Sequence, residues 1–215
     1  LATWKGGKVE EIAFPKLAAI KPCQYIHRIN RDQVVLTFAG LSVPRTHPDY
    51  DKLLLFDQIF GGGVLGSLHC KLYQLREQSG LFYNIAGSLV AACSEEPGMV
   101  MVRTIVSLDR LEEAEKAIQG VIEKSVEEIT PEEFLEAKRA IINYMVSNFE
   151  SNRGMASLFL AMDRYALPHD YYDTRAQKLM AISLDEVKAA VKKVLDNECM
   201  ITLKVGRLEN QKNEK

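Results

Sequence analysis

Apolar residues along the chain switch between a period of two and a period near 3.6, and the switches mark the elements. "QYIHRINRDQVVLTFAG" is rich in β-branched and aromatic residues, which predicts a strand pair or one long strand ending at Gly40. Pro44, His47 and Pro48 interrupt it. "DYDKLLLFDQIF" has apolar residues at helical spacing, and Gly61-Gly62-Gly63 stops that helix. A second helix is predicted from about Ser67 to Ser79, with Leu68, Leu72 and Leu75 on its buried face. Gly80 follows where a left-handed C-terminal cap belongs. "LFYNIAGSLVAAC" and "GMVMVRTIVSL" read as two strands joined by the turn "SEEPG".

The second half is mostly helical. Asp109 is expected to cap an amphipathic helix through about Glu128, with Leu111, Ala114, Ile118, Val121 and Ile122 on one side. "TPEEF" starts another: Thr130 caps, Pro131 takes the first helical position and Glu133 closes a capping box. That helix reads on to about Ser151. "GMASLFLAMDRYAL" is a further apolar segment ending before Pro168, and Ser183 with Glu186 repeats the capping box. "MITLKVG" supplies a last strand. Helices gathered between short groups of strands predict an α+β fold, a mainly antiparallel sheet with helices packed on one face. Residues 1–22, with Gly6-Gly7, Pro15 and Pro22, read as a linker, 23–207 as one domain and 208–215 as a polar tail.

Composition narrows the partners. The chain has 215 residues, 47% hydrophobic and 26% charged, enough for a substantial core. A net charge of −2 with no basic stripe argues against nucleic acid. No apolar run approaches the roughly 18 residues of a membrane span, which predicts a soluble piece of otherwise unspecified location. Cys23, Cys70, Cys93 and Cys199 are too scattered for a zinc knuckle or a small disulfide framework. The opening "LATWKGGKVEE" carries neither an initiator Met nor an apolar signal core, which reads as the middle of a longer polypeptide or a trimmed chain.

Candidate chemistry lies at the glycine joint in "LREQSGLFYNI". Arg76 falls in the last turn of the predicted helix, and Tyr83 follows seven residues later at the start of a strand. A guanidinium supplies fixed, always-charged donors and a phenol adds an O–H donor. Directed into one space, the two could hold a peptide carbonyl or the oxyanion that develops on it. The alternative is a surface ion pair from Arg76 to Glu77 or a nearby Asp, with Tyr83 packed in the sheet. Other catalytic sets are poorly supplied. His27, His47, His69 and His169 each stand alone, with no His-x-x-Glu-His in either direction. Ser67 and Cys70 lie near His69 in sequence, but helix neighbours diverge in direction. "GGGVLG" follows a helix, the wrong context for a phosphate loop.

"FGGGVLGSLHCKLYQLREQSGLFYNIAG" resembles the second, non-zinc-binding domain of the pitrilysin/insulinase zinc metallopeptidases: a Gly-rich turn, a helix, Leu-Arg-Glu, Gly-Leu and Tyr. "QVVLTFAG", "HPDYDKLLLFDQIFGGG" and "ITPEEFLEAKRAIINYMVSNFES" are similar to that domain's first strand, first helix and later long helix. Cys70 and Lys71 stand where family members often carry Ser-Arg. The resemblance implies an α+β sandwich of the metallopeptidase-repeat type, as in LuxS and the processing peptidases. It implies zinc on an upstream or partner homologous domain, and none in this chain. It also implies that Arg76 and Tyr83 bind the substrate carbonyl near that metal, and that Gly61, Gly62, Gly63 and Gly66 form a substrate-capture loop. The chain by itself is then expected to be inactive, with a peptide substrate, a zinc-bearing homologous domain as partner, and a homodimer through its exposed chamber face left open. Two other readings stay open: a non-catalytic pseudopeptidase acting as a peptide-binding scaffold, and an unrelated small-molecule-binding α+β domain.

Overall fold

The computed structural model describes residues 3, 6–7, 13–18, 21–63 and 69–208. Five strands form one sheet: β1 (Cys23–Arg28), β2 (Gln33–Leu41), β3 (Ile85–Ala91), β4 (Met99–Ser107) and β5 (Ile201–Gly206), in the order β1-β5-β2-β4-β3. β1 runs parallel to β5, and every other neighbouring pair is antiparallel. The helices are α1 (Tyr50–Phe60), α2 (Lys71–Ser79), α3 (Leu111–Lys124), α4 (Pro131–Ser147), α5 (Asn152–Arg164), α6 (Tyr171–Ala181) and α7 (Leu184–Val191).

Alternation fixes which sheet face is covered. Val34, Leu36 and Phe38 of β2 and Val100, Val102, Thr104 and Val106 of β4 are buried, and the residues alternating with them are not. The apolar members of this set pack with Leu53, Phe56 and Phe60 of α1, Ala114, Ile118 and Ile122 of α3, and Val187 and Val191 of α7. The expected α+β arrangement, helices on one face of a mainly antiparallel sheet, is what the chain adopts.

Several local expectations change. "QYIHRINRDQVVLTFAG" is indeed two strands, but they do not pair with each other, because β5 inserts between them. The insertion is knitted by Ile29 N–H donating to Gly206 O at 3.1 Å and Arg207 N–H donating to Arg31 O at 3.0 Å. The predicted helix start near Ser67, and Leu68, lie outside the described residues. α2 begins at Lys71, after a buried Cys70 whose side chain makes no capping bond. Lys71 Nζ fixes this start by pairing with Glu133 Oε1 at 2.8 Å. Asp109 is not a cap. It sits inside a 3-10 turn, Leu108–Arg110, and α3 starts at Leu111 and ends at Lys124. α4 stops at Ser147 and passes into a 3-10 turn, Asn148–Glu150. α6 was not anticipated at all.

Both capping boxes are present. Glu133 N–H donates to Thr130 Oγ1 at 3.1 Å while Thr130 N–H donates to Glu133 Oε2 at 3.0 Å, and Ser183 with Glu186 does the same for α7. α6 is held from α1: the buried Arg175 guanidinium forks onto Asp51, 2.9 Å to Oδ2 and 2.7 Å to Oδ1. It also donates to the Tyr171 hydroxyl.

Candidate substrate-binding site

α2 ends because Gly80 takes the left-handed conformation, φ 61° and ψ 15°, with its N–H returning to Arg76 O at 3.1 Å. A Cβ there would meet nothing within 4 Å, so the demand for glycine comes from the backbone angle alone. The chain then dives inward. Leu81 and Phe82 are buried, and Asn84 O accepts from the buried Thr104 Oγ1 at 2.7 Å. Between these anchors Tyr83 is thrown outward and is 91% exposed. The phenol therefore stands on a fixed base with a free tip. It lies in the bend before β3, two residues short of the strand that sequence reading gave it.

On the other side of Gly80, Arg76 keeps its side chain 38% exposed, with Nε 3.9 Å from Glu77 Oε1. That separation is too long for a hydrogen bond. The guanidinium instead lies over the Tyr73 ring, 5.6 Å from its centroid, a cation–π contact along one helix face at i, i+3. Among the described residues, no hydrogen bond or ring contact joins Arg76 to Tyr83. Arg76 thus keeps the surface ion pair with Glu77 that the sequence offered as its alternative, at the loose distance of 3.9 Å, while Tyr83 is exposed and not packed in the sheet. Tyr73 was missed in the sequence, although its three-residue spacing from Arg76 on a helix is the signal that finds it.

The glycine turn has local reasons of its own. A Cβ on Gly61 would collide with the Gly87 carbonyl, so the end of α1 rests directly on the β3 backbone. Gly62 and Gly63 have φ of 90° and 49°. Gly66 lies outside the described residues. Beside Gly63 sits Gln58 Oε1, a buried acceptor without a hydrogen-bond partner among the described residues.

One residue earlier, Asp57 was also unanticipated. It is 4% exposed and accepts from Leu89 N–H at 2.6 Å and Ser88 Oγ at 3.2 Å. Burial, only partly offset by these two bonds, pushes its carboxyl up to about 6. The signal was its place among Leu53, Phe56 and Phe60 on the inward side of α1. Asp57 thus ties the helix before the glycine turn to the strand after Tyr83.

Among the described residues, no three His, Cys, Asp or Glu side chains gather in a way that could hold a metal ion. The described residues therefore offer no ligand set that fits zinc. Nor is any helix among the described residues long and apolar enough to cross a membrane.

The fold has counterparts. The solved peptidase M16 inactive domain from Pseudomonas fluorescens is 26% identical, with a TM-score of 0.81 over 97% of this chain and 48% of that one. A protease from Helicobacter pylori matches at 14% identity and a TM-score of 0.76, over 92% of this chain and 48% of that one. The periplasmic protease PqqL from Escherichia coli shares the fold at 15% identity and a TM-score of 0.67, over 88% of this chain and 21% of that one. The chain thus spans about half the length, or less, of these structures. No curated protein sequence matches it. The family model for the peptidase M16 inactive domain matches residues 1–141, about two thirds of the chain, and the chain belongs to that family.

Proposed function

We propose that this domain closes the substrate chamber of a zinc endopeptidase whose metal sits on a homologous domain, and that Arg76 and Tyr83 present donors to the carbonyl of the bound peptide. The observation that carries this reading is an exposed phenol and a loosely paired guanidinium on either side of Gly80. Among the described residues the Arg76 side chain makes no hydrogen bond and pairs with Glu77 only at 3.9 Å, while Tyr83 is 91% exposed above a buried base. A phenol held out by Phe82 and Asn84 has no packing role to play. The partner domain would lie in the rest of a chain about twice this length, in line with the 48% of the Pseudomonas fluorescens structure that this chain covers. The glycine turn after α1 would help to seat the peptide, with the buried Gln58 carbonyl as one acceptor near it.

A donor that acts mainly on the developing oxyanion is worth about 3 kcal/mol, or about 10²-fold in kcat. Turnover of a quenched peptide by the two-domain protein, with Arg76→Ala and Tyr83→Phe made separately, tests this. Losses of about 10²-fold in kcat with folding intact support the role. Near-normal kcat in both variants removes it. Peptide binding with no turnover even in the unaltered protein would instead identify a pseudopeptidase scaffold.

A further inference from the structure

The two edges of the sheet are not alike. β3 is guarded: its pairing with β4 is irregular between Ser88 and Ala91, and α1 rests on it at Gly87. β1, "CQYIHR", has no lysine, proline or bulge, the usual devices that blunt an edge. Among the described residues nothing pairs with its outer side. In a parallel ladder alternate residues turn their backbone groups toward the neighbour. Ile29 N–H donates inward to Gly206 O, so Tyr25 and His27 also face β5. The backbone N–H and C=O of Gln24, Ile26 and Arg28 therefore point outward, without a partner among the described residues.

A groove of about 700 Å³ runs beneath this edge, between β1, β5 and α3. Its lining is amphipathic: Ile26, Leu108 and Leu111 beside Gln24 and the Lys204–Glu115 ion pair, 2.7 Å. Gln24 and Ile26 contribute both the outward backbone groups and groove-lining side chains. Beyond the groove, Arg28, Arg31 and Arg207 meet around the Ile29 turn. Arg28 Nε donates to Leu208 O, and Arg207 pairs with Asp32 at 3.2 Å. Arg28 and Arg31 have no carboxylate partner among the described residues, so this end carries excess positive charge.

From this edge, groove and charge we propose that β1 takes an extended, acidic peptide segment as a sixth strand, its alternate side chains entering the groove over α3. The outward backbone groups require an extended partner, the groove admits every second side chain, and the arginine end selects acidic residues. This site lies at the opposite edge from Tyr83, about 19 Å across the sheet, and does not depend on the proposed role of Arg76 and Tyr83.

The probe is a fluorescein-labelled heptapeptide of alternating valine and glutamate, read by anisotropy and by amide exchange of the full chain followed by NMR. The peptide is expected to bind, and at about 100 times its Kd to slow exchange at Gln24, Ile26 and Arg28 about 100-fold. Tyr25 and His27, already bonded to β5, should change little. Methylating alternate peptide nitrogens should abolish binding. Arg28→Glu should weaken the peptide about tenfold and favour a valine–lysine counterpart. Four results would overturn the proposal: no binding, binding indifferent to nitrogen methylation, protection confined to the α2–β3 bend, or the same three amides protected by self-association of the chain alone. Arg28→Glu is exposed at the strand end, and a native NMR spectrum confirms that its effect is not misfolding.

Discussion

Replacing Asp57 by Asn isolates one buried charge. Asp57 is 4% exposed, and its two partners, Leu89 N–H and Ser88 Oγ, are neutral donors. Its carboxyl titrates near 6 in the fold, against 3.8 in the open chain. An acid whose folded value is raised binds its proton more tightly in the native state, so ionisation works against folding. That contribution to stability is intact below about pH 4 and is lost as pH rises to about 6. Beyond that it is constant. The gap between the two values corresponds to about 3 kcal/mol. Asn keeps the shape and one carbonyl acceptor for Leu89 and carries no charge. Urea unfolding of both proteins across about pH 4 to 7.5 should show the difference moving by about 3 kcal/mol in favour of Asn as pH rises. Comparing the two proteins at each pH cancels the other carboxylates, among them Asp49, held down to about 2 by Lys193 and Lys52. Parallel stability curves, or an Asn protein that loses ground as pH rises, would refute the reasoning.

Two further changes probe what holds the site. Gly80→Ala forces a Cβ onto a left-handed backbone and should cost about 1–2 kcal/mol in chemical unfolding despite the open space around it. An unchanged midpoint would mean that the bend adapts freely. Arg175→Met leaves the Asp51 carboxylate without its fork at the α1–α6 contact, and should lower stability by about 3–5 kcal/mol. A loss below about 1 kcal/mol would mean that solvent takes over the carboxylate.

The legible parts of this fold are those written in short stretches. Thr130 and Glu133, or Ser183 and Glu186, announce a helix start within four residues. Gly80 announces a stop because it follows the last apolar position of α2. The β1–β5 pairing joins Cys23 to Ile201 and leaves no local trace, so β5 was read as a last strand without its place between β1 and β2. α6 was hidden because its buried residues are Leu179 and Arg175, and a buried arginine breaks the apolar pattern that marks a helix. At the site, Arg76 and Tyr83 drew notice by flanking Gly80 and took their expected role from the family resemblance, but the burial of Leu81 and Phe82 that pushes Tyr83 into solvent depends on the whole core. Asp57 and Tyr73 were passed over for a related reason. Each draws its role from a contact, with Leu89 and with Arg76, that a list of residue types does not display.

The proposal that Arg76 and Tyr83 serve one carbonyl is tested most directly by a double-mutant cycle on kcat/KM in the proposed two-domain protein. Two donors to the same oxygen are coupled, so Arg76→Ala with Tyr83→Phe should lose well under the product of the two single losses of about 10²-fold each. A double variant that loses the full product, or single variants that lose nothing, would contradict the account.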